Sequence, residues 1–218
     1  MIRPEEINIL VACEESQVEC IAFRQRGFNA YSCDLQKCKS TKHPEWHILG
    51  DVSPLLKGQT TFVTQDGYSH RVYSWDLIIA HPPCTYLCKV SSVQMVKDGV
   101  VDKERYEKMC AARDFFIECL EADAHFVAVE NPLPMARAML PKPSCYIQPY
   151  WFGERYSKKT LYWLKNLPPL MPTILASEWK QFVHSSRGKY RSRTFKGVAD
   201  AIAKQWGDVI LSWFNDRK

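Results

Sequence analysis

Short apolar runs alternate with amphipathic stretches along most of this 218-residue chain. INILVAC (7–13) has the length and composition of a buried strand. Glu14, Glu15 and Ser16 then open a helical pattern in which Val18, Ile21, Ala22 and Phe23 share one face, and Gly27 suits its C-terminal end. FNAYSCD (28–34) predicts a second strand ending on an acid, and HILGD (47–51) ends a further run on another acid. Asp66-Gly67, inside the alternating QTTFVTQDGYSHRVYS (59–74), predicts an inserted hairpin. WDLIIA (75–80) reads as a core strand that delivers HPPC.

The second half continues the alternation. DKERYEKMCAARDFFIECLEA (102–122) predicts a helix with Tyr106, Met109, Cys110, Phe116 and Cys119 as its buried stripe. HFVAVE (125–130) predicts a core strand ending on Glu130, followed by Asn131-Pro132. SCYIQPYWFG and TLYWL predict paired strands, Pro168 and Pro169 close that unit, and GVADAIAKQWGDVILSWF predicts a last helix. Strand–helix–strand order with acids at strand ends predicts an α/β doubly wound fold of one domain over 1–218: a mostly parallel sheet, helices on both faces, and an antiparallel hairpin near the C-terminus.

Composition changes this picture little. Apolar residues make up 46% and charged residues 24%, an ordinary globular balance. The N-terminal stretch lacks a signal-peptide pattern and no run reaches spanning length, so a soluble, intracellular protein without membrane contact is expected. The nine cysteines form no C-x-x-C pair. Cys33, Cys38, His43 and His47 match no zinc spacing, so no metal is expected there. Net charge is +5, and HSSRGKYRSRTFK (184–196) carries Arg187, Lys189, Arg191, Arg193 and Lys196 without an acid. Lys158, Lys159 and Lys165 lie among aromatics, as a nucleic-acid surface requires and a solvated face also allows.

Two strand ends carry the candidate chemistry. Ligands gather at the carboxyl ends of parallel strands, and here one end carries HPPCT while another carries ENP. Pro82 and Pro83 remove two amide donors and fix φ, so the chain must leave the sheet and hold Cys84 in a set direction; Pro132 does the same after Glu130.

P-P-C and E-N-P, on successive strands separated by one helix, resemble the cytosine-5 methyltransferases. ILVACEESQVECIAFRQRGFNAYSCD is similar to that family's cofactor-binding opening, GD at 50–51 to its third motif, FGERYSKKTLYWL to its Y-G-x-x-Q-x-R-x-R strand and SRTFKGVADAIAKQW to its closing helix. The compact order of these motifs also resembles short methyltransferase-like proteins of bacteriophages. The resemblance implies a Rossmann-like class I methyltransferase fold, S-adenosylmethionine as cofactor and DNA as substrate. It implies a nucleophile at Cys84, a proton-sharing carboxyl at Glu130 and a supporting cation at Lys158. Cofactor contacts fall on Ala12, Cys13, Glu14, Asp34, Asp51, His81 and Pro82. Substrate contacts fall on Pro83, Asn131, Lys159, Arg187, Lys189, Arg191 and Arg193.

The chain departs from the family in three places. Cys13, Glu15 and Ser16 stand where F-x-G-x-G-G has glycines. Tyr156, Lys158 and Thr160 replace a glutamine and two arginines, and lysine lacks the arginine fork. A basic loop over about 171–193 stands in place of a large target-recognition domain, so sequence recognition is expected to be relaxed or supplied by an accessory protein. Two further readings stay open: a pyrimidine-modifying enzyme acting on a nucleotide or RNA, and a catalytically inactive fold that binds nucleic acid or a host protein.

Overall fold

The computed structural model describes residues 1–39, 42–182 and 193–217. Seven strands form the main sheet: β1 (Asn8–Ala12), β2 (Asn29–Asp34), β3 (His47–Leu49), β4 (Trp75–Ala80), β5 (Ala124–Pro132), β6 (Cys145–Ile147) and β7 (Thr160–Lys165). They lie in the order β6-β7-β5-β4-β1-β2-β3. All neighbours pair in parallel except at β7, which runs antiparallel to both β5 and β6. This order, with one reversed strand slotted between the fifth and sixth, is that of a Rossmann-like class I methyltransferase fold.

Four helices flank the sheet: α1 (Val18–Gln25), the single turn α2 (Ser53–Leu56), α3 (Lys103–Leu120) and α4 (Lys196–Asn215). Alternation along the strands divides the core in two. Leu10, Ile78 and Val127 pack towards α2 and α3, while Ile9, Leu77, Ile79, Phe126 and Ala128 pack towards α1 and α4. The same alternation turns His81 and Glu130 to the α1–α4 face and Asn131 to the other. Asp102 caps α3 by accepting the Arg105 N–H at 3.0 Å. Met109, Phe116 and Cys119 are the buried stripe of α3, with Cys110 half-buried and Tyr106 exposed, so the helix covers the sheet more narrowly than its apolar positions predict.

Two boundaries differ from the sequence reading for physical reasons. Helix α1 begins at Val18, because Gln17 adopts φ 55° and Cys13 φ 60°, both left-handed, which makes 13–17 a loop. Strand β5 continues past Glu130 to Pro132, because β7 pairs with it through Thr160↔Pro132, whereas its pairing with β4 stops at Ala80↔Val129, just before the prolines. The predicted hairpin is present, Thr61–Val63 against Ser69–Arg71, with Gly67 at φ 92° in its turn. None of the described helices is long and apolar enough to cross a membrane.

Candidate functional site

The sheet order reverses between β1 and β4, and the loops around that point are tied to one another. The His81 amide donates to the Ala12 carbonyl at 3.0 Å, and the Glu14 amide to the Cys33 carbonyl at 3.1 Å. Cys13 therefore sits between the ends of β1 and β2. Its thiol is pushed up to about 12 by burial and by the charges of Asp34 and Asp51. These two carboxylates stand at neighbouring strand ends, each with Oδ1 held by a backbone N–H two residues on, from Gln36 at 2.8 Å and from Ser53 at 3.0 Å.

Glu14 does something that no spacing rule indicates. It is buried, and its two carboxylate oxygens accept the N–H groups of Glu19 (2.7 Å) and Cys20 (3.2 Å) in the first turn of α1. A helix N-terminus at this point of a doubly wound sheet is where a pyrophosphate docks. Here a side chain of the protein fills it, which suits a ligand without phosphate. Burial and the neighbouring Glu19 push the Glu14 carboxyl up to about 8. Gln17 anchors the same loop, its amide exchanging hydrogen bonds with the backbone of His43 (2.9 and 3.0 Å).

The HPPC and ENP segments are stitched together. The Lys89 amide donates to the Leu133 carbonyl and the Met135 amide to the Leu87 carbonyl, both at 2.7 Å, with Cys88 bridged to Pro134 between them. Cys84 is half-buried in the turn that leads to this seam. Its thiol is raised by a hydrogen bond with Cys88, by burial and by the charge of Glu130, while Lys158 pulls the other way. Glu130 is acted on by the same lysine. Burial would raise its carboxyl, but the His81 hydrogen bond and the Lys158 charge outweigh burial and hold it low.

Glu130, Lys158, Thr160, Tyr162, Arg193 and Thr194 line a cleft between β5, β7 and the entry to α4, closed by Ile147, Pro149, Phe195 and Val198. It holds about 20 Å³ of free space, enough for a water. Behind Glu130 lies a chain of buried polar groups. His81 Nδ1 is 3.5 Å from Glu130 Oε2, and His81 Nε2 is 3.2 Å from Glu19 Oε1. Thr194 Oγ1 donates to the same Glu19 oxygen at 2.8 Å. Burial alone would lower the His81 imidazole, but the two carboxylates raise it well above its ordinary value.

The sequence-predicted residues divide accordingly. Cys84, Glu130 and Lys158 come together. Ala12, Cys13, Asp34 and Asp51 gather at the ends of β1–β3. Glu14 turns into α1, and His81 turns towards Glu130 and Glu19. Pro82 is buried and Pro83 exposed beside Cys84. Asn131 is buried on the opposite face from Glu130, its Nδ2 donating to the Pro132 carbonyl at 2.7 Å. Lys159 is exposed and lies 4.5 Å over the Tyr146 ring, pointing away from the cleft that Lys158 lines. Arg193 lines the cleft, while Arg187, Lys189 and Arg191 lie outside the described residues. Sequence reasoning missed Glu19 and Thr194. The one available signal for Glu19 was a charge among the apolar residues of a buried helix face. His47, considered above with the cysteines, is buried and bonded to Ser32 Oγ and the Gln36 carbonyl, both at 2.9 Å.

No protein-family model matches the chain, and no curated protein matches it. Solved structures do match. One is a crystal structure provisionally named as a DNA modification methyltransferase encoded within a prophage of E. coli, with 14% identity over 78% of this chain and a TM-score of 0.44. The match spans about half, 51%, of that longer chain.

Proposed function

We propose that the chain is an S-adenosylmethionine-dependent DNA cytosine-5 methyltransferase with relaxed or partner-supplied sequence recognition. The observation that carries this reading is the meeting of Cys84 from the turn after β4, Glu130 from β5 and Lys158 from the entry to β7 at the ligand-bearing end of the sheet.

The residues at the ends of β1–β3 fit the cofactor. Asp34 and Asp51 offer carboxylate oxygens to ribose hydroxyls and an adenine amine, and Cys13, standing where the resembling motif has glycine, adopts a left-handed backbone at φ 60°. Glu14 is committed to α1, which leaves the half-buried Glu15 as the acid of that loop able to meet an ammonium group. S-adenosylmethionine, when bound, supplies the electrophilic methyl group.

The chain's own residues prepare the acceptor. Cytosine C5 is a weak nucleophile until a thiolate adds at C6. The Cys84 thiol gives up its proton to solvent, the Sγ–C6 bond forms, the C5=C6 electron pair moves towards C4, and N3 takes a proton from the Glu130 carboxyl, which leaves C5 enamine-like. After C5 is methylated a base removes its proton, C5=C6 re-forms, Cys84 departs with the C6–S electrons, and N3 returns its proton to Glu130. Lys158 favours the thiolate of Cys84 and tempers the charge of Glu130. A cytosine in duplex DNA reaches these groups only when flipped from the stack.

A second reading, a non-catalytic binding module, is favoured by one observation: the Cys88 contact and burial keep Cys84 a thiol in the resting chain. One assay decides between them. The protein is incubated with labelled S-adenosylmethionine and DNA, RNA or dCMP, and the products are digested to nucleosides. Label in 5-methylcytosine from DNA supports the proposal. Label in RNA or dCMP alone moves the substrate, and no label with any of them favours the binding module.

A further inference from the structure

His81, on sequence grounds a cofactor contact, is enclosed by charged groups of the catalytic side instead. Its side chain is 9% exposed, and it joins Glu19 of α1 (0% exposed) to Glu130 of β5. Its backbone is fixed by the N–H bond to Ala12, so the ring cannot follow a moving partner far. Among the described residues, the other ionisable groups beside this cluster are Glu14 from the β1–α1 loop, which feels Glu19 and His81, Tyr162 from β7, which feels Glu19 and Glu130, and Arg193, which lines the cleft next to Thr194. Lys158 reaches the cluster through Glu130 and Cys84. Glu19 Oε2 and His81 Nε2 are both buried without a hydrogen bond among the described residues, so the 3.2 Å approach of His81 Nε2 to Glu19 Oε1 pairs them as opposite charges.

This arrangement creates a requirement. Protonating N3 needs a carboxylic acid at Glu130, yet in the resting site Glu130 faces two cations. The nearest group able to supply that proton is the His81 imidazole, whose Nδ1 lies 3.5 Å from Glu130 Oε2. We infer that His81 is a positioning residue for Glu130 and its proton reserve: when the bound pyrimidine takes a proton at N3 from Glu130, His81 Nδ1 gives one to Glu130 Oε2. The neutral imidazole stays between the two carboxyls and regains its proton when Cys84 is eliminated. The N3 proton leaves from His81 and returns to it through Glu130, while the Cys84 and C5 protons are exchanged with solvent. This inference rests on the cytosine reading for the reaction it serves, but the charge state of His81 can be tested without substrate.

The test pairs two measurements on the full chain. In the first, imidazole nitrogens are followed by NMR across pH, with the His81 signals assigned by their loss in His81→Asn. The expected result is a ring that stays doubly protonated at neutral pH, above the ordinary imidazole range, and a ring already neutral there overturns the inference. In the second, single-turnover methyl transfer to DNA is measured for wild type and His81→Asn. Asparagine keeps a donor near the place of Nδ1 but has no proton to release. Because this change leaves Glu19 unbalanced, the neutral pair Glu19→Gln/His81→Asn is the second variant.

Wild type is expected to keep its rate from acid to neutral pH. The variants should lose about ten-fold or more at neutral pH and less at acid pH, where solvent supplies Glu130 with a proton more readily. DNA affinity and cofactor affinity should stay unchanged. A deficit equal at every pH marks a merely structural role, and undiminished rates at every pH remove any role; either overturns the inference. A wild type that transfers no methyl group fails the cytosine reading and this proton transfer together, while the NMR result still decides the charge pair.

Discussion

Cys84 and Cys88, four residues apart on one turn, hydrogen-bond thiol to thiol, and this contact is the largest of the influences that raise the Cys84 thiol. The Cys88 amide also donates to the Cys84 carbonyl at 3.0 Å, which fixes the turn. Cys88→Ala therefore removes a restraint on ionisation without removing the turn. Alkylation of Cys84 by iodoacetamide at neutral pH should speed up by roughly three-fold or more, read by mass spectrometry of the peptide that contains it.

Lys158 acts in the opposite sense. Its charge lowers both Cys84 and Glu130, so Lys158→Met should slow alkylation of Cys84 and move its pH dependence upward. Methyl transfer should fall by about ten-fold or more. Lys159→Met, on the far side at the Tyr146 ring, should leave the alkylation rate unchanged.

Glu14 makes stability depend on pH in a direction unusual for a carboxylate. Its folded value, about 8, lies above its ordinary value of 4.5, so between the two the folded chain holds a proton that the unfolded chain has released. This contribution is complete below the unfolded value and is lost as pH rises through the folded one. Urea midpoints of wild type should therefore fall between about pH 5 and pH 8, and Glu14→Gln should flatten that fall. Glu14→Ala, which strips the buried cap from α1, should cost about 1–3 kcal/mol at acid pH.

Gly197, second residue of α4, is packed so that a Cβ would run into the Phe152 carbonyl oxygen, and its N–H donates to Glu154 Oε1 at 2.8 Å. Gly197→Ala must push the start of α4 outward, and with it Thr194 and Phe195 of the cleft wall. A loss of about 1–3 kcal/mol in thermal or urea unfolding is expected, together with reduced activity. Gly67→Ala, in the turn of the inserted hairpin and far from these groups, should leave activity intact.

The fold was legible because its strands are short, apolar and separated by helices of the right period. WDLIIA coincides with β4, and the α4 pattern with the observed helix, because a strand covered on both faces reads as a continuous apolar run and a helix lying on a sheet keeps 3.6-residue spacing. Cys84 and Glu130 were singled out because prolines stand beside them; the chain does leave the sheet before Pro82 and Pro83, whereas β5 runs on through Glu130 to Pro132. Glu14, Glu19 and His81 were misplaced or missed for one shared reason. Each is a charged residue whose environment is made by elements distant in sequence, and no local period encodes which buried partner it meets. The change in the stripe of α3, with Tyr106 exposed, has the same origin: periodicity gives the face of a helix but not how far the neighbouring sheet extends beneath it.

The central claim, that Cys84 adds to a cytosine held by Glu130, is tested most directly with an oligonucleotide containing 5-fluorocytosine, whose C5 fluorine cannot be removed as a proton. Incubated with S-adenosylmethionine, wild type should form a denaturant-resistant protein–DNA adduct with Cys84 as the attached residue. Cys84→Ser should form none, and Glu130→Gln should form it about a hundred-fold more slowly. An adduct that survives Cys84→Ser, or a wild type that methylates DNA without ever being trapped, would contradict the account.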